Sequence, residues 1–490
     1  TAATPKIRRR PVRLLALAAL VAGLVLAAAV AGALPNPALA QEGPESAAAT
    51  FVVNTLNDLP DVSPGNGVCE TDVSSQCSLR AAIMEANALA GPDTIEFGSL
   101  TGVIALDGAA LPAISDDLVI DGPANPADIV VDAAGDDRHL VIAPGATVEI
   151  ARIHLTNGNP GEGSGGSIFN SGQLTLSQVI ISNSHAPDDG GAVYGASSSS
   201  TIIQDGSQIG LPDLGNSAGY GGGVANAGKS SVVVNDSSIS YNWAGFDGGG
   251  VYGWGGSVEI SNGSLIRANS AADRGGGLYN NGFAFMEIIS STVAYNSADR
   301  GGGIHSYYST LQLTNSTVSG NSALGDGGGI YEESIDTLYL YNATISDNTA
   351  DQNSDGVGDG GGLFLNGFAN SSNSILAGNA DLTPSTLGPI HPDCSALPFS
   401  SFTTNEYNVV GNNEGCVEHF VNGVSGNQVG TAINPLNPML GPLTTDYGAL
   451  LHPVFADSPA LNSGDPDGCL GDGDVLITVD QRGMSRPQNE

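Results

Sequence analysis

The chain has 490 residues, of which 41% are hydrophobic and 69 are glycine, and its 50 acidic against 14 basic residues leave a formal net charge of -36. A surface this acidic repels phosphate backbones and anionic lipid, which argues against nucleic acid and membrane surfaces as partners and favours solubility and attraction of cations. Length alone would suggest about three domains, but an internal repeat points to one long domain with a shared core.

The first element in chain order is a targeting pattern. Basic KIRRRPVR precedes an apolar run from Leu14 to Leu34, then Pro35, Pro37 and the small-residue site Ala38-Leu39-Ala40. This predicts a signal peptide over 1–40, cleaved after Ala40, with an uncleaved membrane anchor as the rival and Arg8-Arg9 leaving Sec or twin-arginine export open. Either route exports the body of the protein, leaves no spanning segment in the cleaved chain and places the cysteines where disulfides persist. Five are present. Cys69 with Cys77 and Cys394 with Cys416 form two local pairs, Cys469 is left over, and there is no CxxC spacing. The seven histidines are scattered without HxH or HExxH, so no zinc site is expected.

After Cys77 the sequence CSLRAAIMEANALAGP predicts a helix, with Ser78 as N-cap, Leu79, Ile83 and Ala86 on one face and Gly91-Pro92 as its stop. An open solenoid needs such a cover, because its end strands present unpaired edges.

The repeat follows. Gly-Gly-Gly-aliphatic begins at Gly221, Gly248, Gly275, Gly301, Gly327 and Gly360, with looser versions at Gly165 and Gly190. Within each unit an aliphatic column (Val224, Val251, Leu278, Ile304, Ile330, Leu363) is followed by a second (Val232, Val258, Met286, Leu311, Leu338) and a third (Ile239, Ile266, Val293, Val318, Ile345). Three residues beyond the third come Asn242, Asn269, Asn296, Asn321 and Asn348. Local alternation such as Leu311-Gln-Leu313 has the period of a strand. A unit of this length suits one coil of a right-handed parallel β-helix, stacked on the next at ~4.8 Å. The glycines then supply positive φ at a tight corner and allow close coil stacking, and the asparagines form a ladder of amides.

Three local patterns bear on chemistry. Gly215-Asn-Ser217-Ala-Gly219 matches GxSxG by letter but precedes YGGG, where a nucleophile elbow needs a following helix. Arg274 and Arg300 occupy one corner of adjacent units, each after an aspartate (Asp273, Asp299), which suggests a salt-bridge ladder more than a tuned base. Asp351, Asn353, Asp355 and Asp359 surround Gly356 in the unit that stretches from Gly327 to Gly360, and alternating oxygen ligands of this kind suit calcium, although Gly362 stands where an EF-hand has its glutamate. No other cofactor is called for.

Taken together, these residues resemble exported bacterial proteins with an N-terminal CSLREAI domain followed by β-helix repeats like those of polymorphic outer-membrane proteins. The resemblance rests on Cys69, Cys77-Ser-Leu-Arg-Ala-Ala-Ile83, Ala86-Asn87, Asp93-Thr94-Ile95-Glu96-Phe97, Leu118-Val-Ile-Asp-Gly122 and the Gly-Gly-aliphatic and aliphatic-x-x-Asn units. Asp393-Cys394, Tyr407-Asn408, Gly415-Cys416, Ser458-Pro-Ala460 and Asp480-Gln-Arg-Gly483 are similar to choice-of-anchor C-terminal regions. Ala81 departs from the family's glutamate, half of a capping box, so Ser78 must cap alone. The implied organisation is a signal peptide (1–40), a cap region (41–97), β-helix repeats (98–380) and a β-rich tail (381–490), in an all-β pectin-lyase-like solenoid with an N-terminal capping helix. The implied role is an adhesin-like or structural module that meets an extracellular glycan or protein surface without catalysis. The alternative is a polysaccharide lyase or glycoside hydrolase, which the fold alone neither favours nor excludes. Disulfides are expected between Cys69 and Cys77 and between Cys394 and Cys416.

Overall fold

The computed structural model describes residues 48–471, 473 and 475–486, so the predicted signal peptide over 1–40 lies outside the described residues. Strand after strand pairs in parallel with its counterpart one coil away. The first aliphatic column runs Val224↔Val251↔Leu278↔Ile304↔Ile330↔Leu363 in unbroken register, and the second and third do the same. Nearly all these side chains have no solvent exposure, and each full burial of a Val, Leu or Ile contributes about 2 kcal/mol. The result is a right-handed parallel β-helix whose coils are drawn from three sheets of 21, 13 and 8 strands.

The pattern of three strands per coil is short by one. The sheet of 8 strands is built from two-residue pieces such as Trp243–Ala244, Ser270–Ala271, Ser297–Ala298, Ser322–Ala323 and Thr349–Ala350, directly after the asparagine column. Two residues are too short for a periodicity to show; the alanine of each pair is buried, and Ala244, Ala271 and Ala298 pack as their own small cluster.

Glycine performs two separate tasks at each corner. The first of the three takes a left-handed conformation, with φ of +62° at Gly221, +69° at Gly248, +62° at Gly275, +60° at Gly301, +67° at Gly327 and +70° at Gly360. The second has no room for a side chain: a Cβ on Gly249 would lie 2.3 Å from the Gly276 carbonyl oxygen of the next coil.

The asparagine column is a continuous hydrogen-bonded ladder. Asn269 donates through both its backbone N–H and Nδ2 to Asn296 Oδ1 (2.9 and 3.1 Å), and Asn296 does the same to Asn321 (2.9 and 3.0 Å). The ladder is longer than the five predicted residues: it begins at Asn216, passes through Asn242 to Asn348 and Asn379, and ends on Asp393, whose Oδ1 accepts both bonds from Asn379. A chain insertion around Leu211 and Leu214 displaces Asn216 from the regular spacing.

Parallel pairing extends beyond 98–380 at both ends, from Thr50–Val52 to Gln428–Val429. The helix Leu79–Ala88 covers the N-terminal end. Ser78 Oγ accepts from Ala81 N–H at 3.0 Å and donates to the Leu59 carbonyl, so the lone cap is itself held in place. Cys69 is bonded to Cys77 and Cys394 to Cys416, as the spacing predicts, and Cys469 is free. Among the described residues no helix is long and apolar enough to cross a membrane.

The tail folds back along the solenoid. The hairpin of Thr444–Asp446 and Ala449–Leu451 and the residues after it lie on the outward side of the 13-stranded sheet, where Thr292 Oγ1 donates to the Leu450 carbonyl, Asn315 Nδ2 to the Val479 carbonyl (2.9 Å) and Thr317 Oγ1 to Gln481 Oε1 (2.7 Å).

Candidate functional site

Alternation along the strand after each glycine corner turns the residue following the buried aliphatic outward. That position is Tyr252, Tyr279, His305, Tyr331 and Phe364 in five consecutive coils, because the chain reads Val-Tyr, Leu-Tyr, Ile-His, Ile-Tyr and Leu-Phe there. Coil stacking brings the rings into contact, stacked from Tyr252 to Tyr279 and from Tyr331 to Phe364 and edge-on or tilted around His305. Centroids are 5.4 Å apart from Tyr252 to Tyr279 and from Tyr279 to His305, 4.5 Å from His305 to Tyr331 and 4.8 Å from Tyr331 to Phe364. Tyr220 extends the run, 5.1 Å from Tyr252 and 5.0 Å from Phe246. The inner rings shield one another, leaving Tyr279 and His305 almost fully buried although they lie on the outer side of the sheet. Along the rim Phe246, Trp254 and Tyr308 remain open to solvent.

A charged column borders the rings at the glycine corner. Asp247, Arg274 and Arg300 are register partners on adjacent coils. Each arginine pairs with the aspartate before it, Arg274 with Asp273 at 3.6 Å and Arg300 with Asp299 at 3.9 Å, so the acidic partners expected from the sequence are present but as separate pairs within a coil, not as a ladder between coils. These are loose, partly exposed pairs that contribute little to stability. The Arg274 guanidinium also reaches across the strip to within 5.9 Å of the Tyr307 ring centre.

Burial shapes the electrostatics of this strip. The Asp247 carboxyl is pushed up to about 6, by burial first, with Arg274 opposing and Asp273 adding to the shift. Burial, helped by the neighbouring Arg274 and Arg300, holds His305 well below the ordinary imidazole range, so the ring is neutral. Tyr279 and Tyr331 are both pushed up to about 12, chiefly by burial. Neither ring nitrogen of His305 has a hydrogen-bond partner, and the same holds for Asp247 Oδ1 and Arg274 Nε. Four buried polar atoms without a partner, on three side chains of one strip, are a marked exception to the rule that buried polar groups are hydrogen-bonded.

The acidic loop behaves differently. Asp351 is fully buried; its Oδ1 accepts from Asp355 N–H and its Oδ2 from Gly356 N–H and Thr383 Oγ1, each at 2.9 Å. Asp355 Oδ2 accepts from Asn353 Nδ2, and Asp359 Oδ1 lies 2.9 Å from His391 Nδ1. Asp351, Asp355 and Asp359 are thus committed to neighbours within the loop and the next coil, and among the described residues no three His, Cys, Asp or Glu side chains converge as a metal-holding group. Ser217 of the GxSxG match opens a short strand, not a helix, with its Oγ 3.0 Å from His185 Nδ1.

Sequence reasoning passed over the outward rings. Their signal is present as an aromatic in the fourth position after the first corner glycine, but one outward residue per coil carries no pattern until the coils are stacked. No protein-family model matches the chain, and no curated protein does.

Proposed function

We propose that the protein is an exported, adhesin-like module that binds an extracellular glycan through the lateral strip, without catalysis. The observation that carries this reading is the run of rings from Tyr220 to Phe364, rimmed by exposed Phe246, Trp254 and Tyr308. The exposed faces of Phe246, Trp254 and Tyr308, backed by the buried ring run and set beside hydrogen-bonding side chains, suit sugar rings, whose C–H faces stack while their hydroxyls find polar partners. Repetition along the solenoid axis supplies many weak contacts to one long ligand, which add through avidity. Export draws support from the basic and apolar N-terminal pattern, from the resemblance to CSLREAI proteins and from two disulfides.

The experiment is binding of the purified protein to immobilised glycans, with release of reducing ends measured on the same samples. Trp254→Ala combined with Phe246→Ala is expected to weaken binding at least tenfold while leaving the melting temperature within about 2 °C, since both side chains are half exposed. Reducing ends released by the native protein and lost in Asp247→Ala would move the reading to a polysaccharide lyase or hydrolase.

A further inference from the structure

Two buried polar atoms of opposite kind, on adjacent coils of the lateral strip, have no hydrogen-bond partner. Asp247 and Arg274 are bridged backbone to backbone on adjacent coils, yet Asp247 Oδ1 and Arg274 Nε each lack a hydrogen-bond partner. Asp247 is only 8% exposed. Arg274 contacts Asp273 at 3.6 Å through the same Nε, beyond hydrogen-bonding distance, and its side chain is 34% exposed. A buried acceptor and donor left open are costly unless something meets them. The next aspartate in this corner column, three coils beyond Asp247, is not open in this way, because Asp326 Oδ1 accepts from Asp359 N–H at 2.9 Å. Within this corner column the unpartnered carboxylate oxygen is at Asp247 and not at Asp326.

The chemistry of the pair selects among ligands. A carboxylate or sulfate only accepts, so it would suit Arg274 but stand against Asp247, Asp273 and Asp299. A cation would suit Asp247 but stand against Arg274 and Arg300. A hydroxyl both donates and accepts, and a vicinal diol does both at neighbouring positions, giving an O–H to Asp247 Oδ1 and an oxygen to Arg274 Nε. Phe246, next to Asp247 in the chain, is 54% exposed and stacked on Tyr220, and it offers a face for the apolar side of the same sugar ring. We infer that Asp247 and Arg274 form a hydroxyl-reading subsite that takes an uncharged sugar residue and so selects neutral over acidic glycans. Arg274, the more exposed of the two, is the side chain that moves to admit it. This rests on the reading of the strip as a glycan-binding face.

The test uses the purified protein with four immobilised probes: a mannan, a neutral β-glucan, polygalacturonate and alginate, at one fixed salt concentration. The native protein is expected to bind at least one neutral polymer ten times or more tightly than either acidic one. Asp247→Asn and Arg274→Gln are each expected to weaken that binding about tenfold or more, the range for a hydrogen bond to a charged group, and Asp247→Asn to narrow the preference by removing the repulsive carboxylate. Because Arg274 is partly exposed, Arg274→Gln keeps the test open if Asp247→Asn does not fold. Tighter binding to polygalacturonate or alginate, or neutral-glycan binding unchanged in Arg274→Gln, overturns this inference and leaves the glycan-binding strip standing. Absence of binding to all four polymers by the native protein overturns both.

Discussion

The asparagine ladder has a direction, and replacing one rung by aspartate should reveal it. Asn296 Oδ1 accepts from Asn269 twice, while its Nδ2 donates to the Ile266 carbonyl and to Asn321 Oδ1, both at 3.0 Å. Asn296→Ala removes all four bonds and leaves the Asn269 backbone N–H without an acceptor, a loss of about 4 kcal/mol at roughly 1 kcal/mol per bond. Asn296→Asp keeps the two accepted bonds but sets a second carboxylate oxygen against two acceptors. Ionised, it is a buried charge facing like dipoles, so its loss at pH 7 should exceed that of Asn296→Ala. The new carboxyl has its folded pKa raised above the unfolded value, so the penalty is small in acid and grows as pH rises, by up to about 3 kcal/mol between pH 4.5 and 7. The ladder's end offers the control. Asp393 Oδ2 accepts from Asn412 N–H at 2.7 Å, so nothing beyond it needs a donor, and burial pushes its carboxyl up to about 6. Asp393→Asn exchanges that bond for relief from a buried charge and should change stability by no more than about 1 kcal/mol at pH 7. Urea denaturation followed by circular dichroism at pH 4.5 and 7 measures all three. The reasoning is refuted if Asn296→Asp is no worse than Asn296→Ala at pH 7, or if Asp393→Asn costs as much as Asn296→Asp.

Glu332 is fully buried inside the coil and its oxygens meet no donor at hydrogen-bonding geometry; burial pushes its carboxyl well above the usual range, with nearby Ser306 only tempering the shift. A raised folded pKa gives stability that is whole below the unfolded value of 4.5 and is lost as pH rises. Glu332→Gln should therefore reduce the alkaline loss of stability by about 1.4 kcal/mol per pH unit between the two pKa values, read from urea midpoints between pH 5 and 9. Asp351→Ala should cost about 3 kcal/mol through its three accepted bonds, equally in calcium and in a chelator. A calcium-dependent rise in melting temperature present in the native protein and absent from Asp351→Ala or Asp355→Ala would assign the loop to a cation.

Features that repeat at fixed spacing, or that act over a few residues, were legible in the chain. The three aliphatic columns, the corner glycines, most of the asparagine ladder, the Ser78 cap and both local disulfides follow from steric and hydrogen-bonding rules that operate within one coil or between identical neighbours. The four loop residues Asp351, Asn353, Asp355 and Asp359 were legible as an acidic turn, but which oxygens remain free depends also on Thr383 and His391 arriving from the next coil. Stacking turned single outward residues into a ring-lined strip, and it set Asp247 and Arg274 on adjacent coils with Asp247 Oδ1 and Arg274 Nε each lacking a hydrogen-bond partner. Chain reversal laid the tail from Leu450 to Arg486 across residues Thr292 to Asn342. Partners this far apart share no sequence period, so only the closed coil, which fixes what each outward and inward side chain meets, decides what they do.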